Sequence, residues 1–155
     1  MNQCQGFDWR SLRRHVLVLL CAQGVAAVAF AAEPVGLVKR ISGGAVVERA
    51  GQSLPVTLGF AVQAGDVVRT APGGSVGLVL KDNSSIGLGP NSRYTIDRFS
   101  FDARTHGGAF ASSLAKGSLS MISGKLARQA PDAVTVQTPG TMLGVRGTQF
   151  LVEVP

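Results

Sequence analysis

Between Val35 and Val154 every apolar stretch is short, and each is cut within a few residues by a glycine, a proline or an Asn or Asp. That punctuation argues against long helices, because glycine weakens a helix interior by about 1 kcal/mol and proline by about 3 kcal/mol. It suits strands and turns, where glycine supplies the positive φ of a tight reversal. The chain carries 20 glycines in 155 residues, and no segment beyond Ala31 shows a helical apolar period.

The β-favouring runs are Val35 to Ile41, Ala45 to Glu48, Leu54 to Leu58, Val67 to Thr70, Ser75 to Leu80, Ser85 to Leu88, Arg93 to Phe101, Phe110 to Leu114, Ser118 to Ile122, Ala133 to Gln137 and Gln149 to Val154. Ser42-Gly43-Gly44 predicts a hairpin between the first two runs, and Lys116-Gly117 predicts another between Phe110 to Leu114 and Ser118 to Ile122. Val76, Leu78 and Leu80 alternate, and Ile86 and Leu88 return beyond Asp82-Asn83, which predicts a hairpin with one shared apolar face. Pro55 has no N–H to give a ladder, so Leu54 to Leu58 fits an edge strand or a strand start; the closing run Gln149 to Val154 is another candidate edge. In Arg93 to Phe101 both faces carry apolar groups, and the sequence does not select the inner one. Residues 102–109 read as a loop and Lys125 to Asp132 as a brief helical turn or loop.

About ten short strands at this density of turns predict a mainly β fold: one antiparallel β-sandwich or jelly-roll-like domain over residues 35–155, with a short β-helix as the other architecture. A parallel α/β fold lacks its crossover helices.

Ahead of the strands, Arg10, Arg13 and Arg14 precede an almost wholly apolar Val16 to Ala31 that closes on Ala29-Phe30-Ala31. A basic start, an apolar run and a small-x-small end are the parts of an export signal. Residues 1–31 are therefore expected to form a signal helix cut after Ala31, or else an N-terminal membrane anchor, and the domain is expected in the periplasm. Spanning a bilayer takes about 20 consecutive apolar residues, which favours cleavage. Cys4 and Cys21 both fall in this segment, so the domain that follows has no disulfide and no thiolate metal site.

The formal net charge of +6 falls to 12 Lys plus Arg against 8 Asp plus Glu, or +4, once residues 1–31 are set aside. The remaining cations stand singly along the chain, with no basic cluster and none of the interleaved aromatics that single-stranded nucleic acid uses. They read as solvated strand faces, and no nucleic-acid partner is expected. His106 is the one histidine after Ala31 and sits on a glycine-flanked loop close to Asp102, so it reads as a solvated side chain. Asp66, Asp82, Asp97, Asp102 and Asp132 occupy turn or strand positions, where Asp satisfies backbone N–H groups. No catalytic residue, cofactor-binding residue, cofactor or metal site is expected, and the chain is read as no enzyme. Gly77, Gly87 and Gly89 alternate with apolar residues, which permits either tight strand packing or close approach of a ligand.

Four fragments in order resemble the FecR domain, named for regulators of ferric-citrate-type iron uptake in Gram-negative bacteria. Gly65-Asp66-Val67-Val68-Arg69-Thr70 is similar to the family's G-D-x-[apolar]-x-T, and Ser75 to Leu88 to its strand, D-G-S turn and strand, here Asp82-Asn83-Ser84. Pro90 with Ser92 resembles its P-x-S; Thr138-Pro139 and Gly147-Thr148-Gln149-Phe150-Leu151-Val152 resemble its T-P and terminal G-T-x-F-x-V. Asn83 replaces the usual glycine, a mild departure because Asn tolerates the left-handed conformation. The resemblance implies a jelly-roll-like domain outside the inner membrane, a role in signalling or protein binding, an envelope protein as partner, and no catalytic residue to carry over. Regulation of iron or other envelope transport is part of that implication. About 15 residues precede the apolar segment, fewer than the family's sigma-binding part needs, so contact with a sigma factor is not expected of this chain. A carbohydrate- or peptidoglycan-binding β-sandwich is the other reading, and contact with the membrane is expected only through an uncleaved N-terminal segment.

Overall fold

The computed structural model describes residues 32–145 and 149–155; the expected signal helix, Gly147 and Thr148 lie outside the described residues. The described chain is mainly β. Its strands are β1 (Pro34–Ser42), β2 (Ala45–Arg49), β3 (Gln52–Pro55), β4 (Ala61–Gln63), β5 (Val67–Thr70), β6 (Ser75–Leu80), β7 (Ser85–Leu88), β8 (Arg93–Phe101), β9 (Gly108–Ile122), β10 (Val134–Gln137), β11 (Met142–Gly144) and β12 (Gln149–Val154). One helical turn, α1 (Lys125–Gln129), and a 3-10 turn at Pro131–Ala133 stand between β9 and β10. Among the described residues no helix is long and apolar enough to cross a membrane.

The strands form a single curled sheet, a half-barrel with the order β3-β2-β5-β8-β9-β7-β6-β1-β4. Its hub is β9, whose first half pairs with β8 and, in parallel, with β10, while its second half pairs with β7 and β12. Two arms therefore share one strand, and both turn their apolar residues inward. Val47 and Val68 come from the β2 arm, Leu78 and Ile86 from the β6 arm, and Leu114 and Met121 from β9; all are buried to within 1%. Burying a side chain of this size stabilises by about 1.5–3 kcal/mol. α1 adds Leu126 and Ala127 to the same core.

The hairpin foreseen over Ser75 to Leu88 is present as β6 and β7, with Val76 opposite Leu88 and Leu78 opposite Ile86, and Asn83 at φ 65° in its turn. For Arg93 to Phe101 the structure selects Tyr94 and Ile96 as the inner pair, and a register shift between Ile96 and Arg98 ends the regular alternation.

Two foreseen hairpins are corrected. β1 does not pair with β2: it lies between β4 and β6, while β2 lies between β3 and β5. Ser42-Gly43-Gly44 carries the chain from one arm to the other, with Gly43 at φ 67° packed 2.8 Å, measured from an ideal Cβ, from Gly74 Cα. Lys116-Gly117 is likewise no reversal but a bend inside the continuous β9, with Gly117 at φ 92° and a register shift against β8 at this point. The edge run begins earlier than expected, at Gln52, and stops at Pro55, beyond which the Val56 N–H still donates to the Ala45 carbonyl at 3.1 Å. β4 and β11 were not foreseen, being only three residues each.

Candidate functional site

The residues singled out by sequence do not converge on one cavity. They form three buried corners that tie distant parts of the sheet together. At the first, Gly65 at φ 90° turns the chain into β5 and donates its N–H to the Ile96 carbonyl at 2.7 Å. The turn places Asp66 wholly inside, where its carboxylate accepts Arg49 Nε at 2.7 Å, Arg49 Nη2 at 2.6 Å and the Gln63 N–H at 2.8 Å. Arg49 also donates to the Ala61 carbonyl at 2.9 Å and lies over the Phe60 ring at 5.5 Å. The hydrogen bond to Asp66 raises the already high pKa of the guanidinium.

At the second corner, Thr70 Oγ1 donates to the Gly89 carbonyl at 2.7 Å and accepts the Ser92 N–H at 2.8 Å. Ser92 Oγ donates to the Gly89 carbonyl at 2.8 Å and accepts the Ser118 N–H at 3.1 Å, beside the bend in β9. Pro90 and Asn91, the latter at φ 52°, shape the turn between. An ideal Cβ on Gly117 would stand 2.4 Å from Ser92 Cα, so the bend and Ser92 occupy the same space.

The third corner is the β6–β7 turn. Asp82, fully buried, accepts the Ser84 N–H at 3.0 Å and the Ser84 hydroxyl at 2.6 Å, and Ser84 Oγ accepts the Gly124 N–H at 3.0 Å. The Asp82 carbonyl accepts the Lys125 N–H at 2.8 Å, which fixes the start of α1. Apart from these corners, Thr138 and Pro139 close the β10–β11 hairpin, Thr138 donating N–H and Oγ1 to the Thr141 carbonyl at 2.8 and 3.0 Å. Phe150 packs half-buried against the core from β12.

Asp66, Asp82, Ser84 and Ser92 are thus closed off from solvent and bonded within the fold, an arrangement that holds backbone and leaves no free nucleophile or base at these positions. Asp102 binds the N–H groups of Arg104 at 2.7 Å and Thr105 at 3.3 Å, and these bonds hold its carboxyl below the usual carboxylate range. His106 stacks on Phe101 at 6.2 Å. Among the described residues no three His, Cys, Asp or Glu side chains are grouped to hold a metal ion.

The open surfaces are the outer faces of the two arms. On the β6 arm Gly77 stands opposite Gly87 and Gly87 opposite Ser120, forming the floor of a shallow groove of about 380 Å³. Gly89 is different: its Cβ would meet Ser118 Oγ at 2.1 Å, so there the glycine serves close packing. On the β5 arm the register sets Arg69 opposite Arg93 and Arg93 opposite Lys116. Cations that stand singly in the sequence are neighbours in the fold, a correction that only long-range strand pairing supplies.

A family model described as FecR protein matches residues 66–154, more than half of the chain. The chain belongs to the FecR family. FecR proteins are envelope-associated, and their domains are regulatory and signalling modules. The match starts at Asp66 and ends at Val154, the last residue of β12, so it takes in the second and third buried corners of this FecR domain and Asp66 of the first. No curated protein matches the chain. Among solved structures a cell surface anchoring domain matches at 26% identity, covering 39% of this chain and 82% of its own, with a TM-score of 0.38.

Proposed function

We propose that this FecR domain is a non-enzymatic interaction module of the periplasm that binds an envelope protein and passes on a signal governing iron or another envelope transport process. The observation that carries the reading is β12. Among the described residues it pairs with β9 on one side only, its Phe150, Val152 and Val154 are fastened to the core, and Leu151 is 72% exposed on the outer face. An unpaired edge on a fixed strand is the surface to which a partner adds a strand, with side-chain pockets providing selectivity. On this reading the two arms joined along β9 act as the layers of a jelly-roll-like sandwich. A sugar-binding sheet is less well supported. Sugar platforms use exposed Tyr or Trp, and Tyr94, the one tyrosine of the chain, is wholly buried.

The test is a photo-crosslinking residue in place of Leu151 in the full chain, expressed in its native cells, with Thr57 as the control position. The expected result is a Leu151-specific adduct with one envelope protein, recovered from the periplasmic fraction. Absence of any such adduct, or recovery of the chain from the cytoplasm, would overturn the proposal.

A further inference from the structure

Arg69, Arg93 and Lys116 occupy one row on adjacent strands, and all three are exposed, the two arginine side chains at 53% and 54%. Directly opposed residues hold their Cβ atoms about 4.5–5.5 Å apart, and like charges so placed work against the sheet. Glu48 offsets part of this. Its Oε1 accepts Arg69 Nη1 at 2.7 Å and its Oε2 lies 3.6 Å from Arg93 Nη2. Lys116 makes no ion pair among the described residues. The row keeps a net positive charge that the fold does not use.

Beside the row lies a shallow cleft of about 530 Å³. Arg69 forms one wall of it, and Ala45, Val46, Ala71 and Pro72 supply an apolar seat. A guanidinium presents parallel N–H groups that match a carboxylate, and such charge-assisted bonds are stronger than neutral ones. We propose that Arg69, Arg93 and Lys116 bind the carboxylates of an acidic segment of the partner protein, whose interleaved apolar side chains sit in the cleft. This names the partner's chemistry and rests on the protein-binding reading above. A carboxylate fits better than a phosphate. Glu48 already spans the two guanidiniums with one oxygen on each, and its charge opposes a dianion more than a single carboxylate.

The test titrates the full chain with a labelled, acetylated peptide of alternating glutamate and valine, and in parallel with inorganic phosphate and with phosphatidylglycerol–phosphatidylcholine vesicles. Peptide affinity is expected to fall about tenfold or more in Arg69→Ala/Arg93→Ala, the equivalent of losing one charge-assisted bond. It is expected to fall several-fold in Lys116→Ala, to rise in Glu48→Gln, to drop with salt, and to stay unchanged in Arg40→Ser on the other arm. Should the double variant fail to fold by its thermal melt, Lys116→Ala and Glu48→Gln decide the matter on their own. No peptide binding by the wild type, unchanged affinity in the variants, or preference for phosphate or vesicles over the peptide overturns the inference. A Leu151 adduct formed equally by Arg69→Ala/Arg93→Ala overturns it too and leaves the protein-binding reading standing; loss of that adduct from the wild type strikes the reading itself.

Discussion

Arg49 closes on Asp66 through two hydrogen bonds of 2.6 and 2.7 Å, yet the two side chains differ in exposure, 29% against 1%. The difference predicts an asymmetry. Removing Arg49 leaves a buried carboxylate without its counter-charge, whereas removing Asp66 leaves a guanidinium that reaches water. Breaking a buried pair from the side that strands a charge costs about 3–5 kcal/mol. Arg49→Met is expected to lower stability by about that much, and Asp66→Ala by less, about 1–3 kcal/mol for the lost bonds. Urea unfolding midpoints of the two variants check this, and equal losses would show that Asp66 is not desolvated.

Glycine positions separate in the same way. Gly117 combines φ 92° with a Cβ position 2.3 Å from Ser92 Oγ and 2.4 Å from Ser92 Cα. Left-handed backbone costs an ordinary residue about 1–2 kcal/mol and overpacking about 1–3 kcal/mol more. Gly117→Ala is expected to lose at least about 2 kcal/mol on those grounds. Gly87 is extended, and its Cβ would make only ordinary contact, 3.8 Å to Ser120 Cβ. Gly87→Ala is expected to be neutral or to stabilise by about 0.4–1 kcal/mol through the unfolded chain. Melting temperatures of the pair decide, and a loss at Gly87 as large as that at Gly117 would contradict the geometry.

These two glycines also show what the sequence made legible. Local chemistry marked Gly117 as a place where the chain changes direction, and it does. A positive φ serves a reversal and a bend equally, however, and the choice was made by Ser92, in the turn before β8 and far away in sequence. Ser42-Gly43-Gly44 makes no hairpin for the same reason, because its partner is Gly73-Gly74 and not the chain two residues on. The β6–β7 hairpin was legible because its turn, alternation and pairing are all local. The row of Arg69, Arg93 and Lys116 was illegible because it exists only once β5, β8 and β9 are in register. Asp66, Thr70, Asp82, Ser84 and Ser92 were found as a motif, but the burial that makes them structural was not visible in it.

Ser84 links the β6–β7 turn to the start of α1, donating to Asp82 and accepting from Gly124. Ser84→Ala removes both bonds and leaves a buried carboxylate oxygen and a buried N–H short of partners, each worth about 1–3 kcal/mol when unsatisfied. The expected loss is about 2 kcal/mol or more. Amide exchange provides the sharper readout: protection at Gly124 and Lys125 should fall more than protection in β8. Uniform loss across the domain would mean that the turn does not hold α1 separately.

The row of cations gives the stability a pH dependence of known sign. The Arg69 guanidinium holds Glu48 below its ordinary value of 4.5, and Lys81 does the same to Glu33. A carboxyl group depressed in the folded state binds protons more readily when unfolded, so stability rises with pH through that window. The contribution is complete above about 4.5 and is lost as the pH falls below it towards the depressed folded values. Melting temperature is therefore expected to fall on acidification below that point, and Glu48→Gln should flatten the slope while lowering the plateau at neutral pH. Without Glu48 the arginines face each other unrelieved, so added salt should raise the melting temperature of Glu48→Gln more than that of the wild type. Adding Arg93→Thr to Glu48→Gln should remove that salt response, because the repulsion between Arg69 and Arg93 is its cause. A salt response that persists in the double variant would place the repulsion elsewhere.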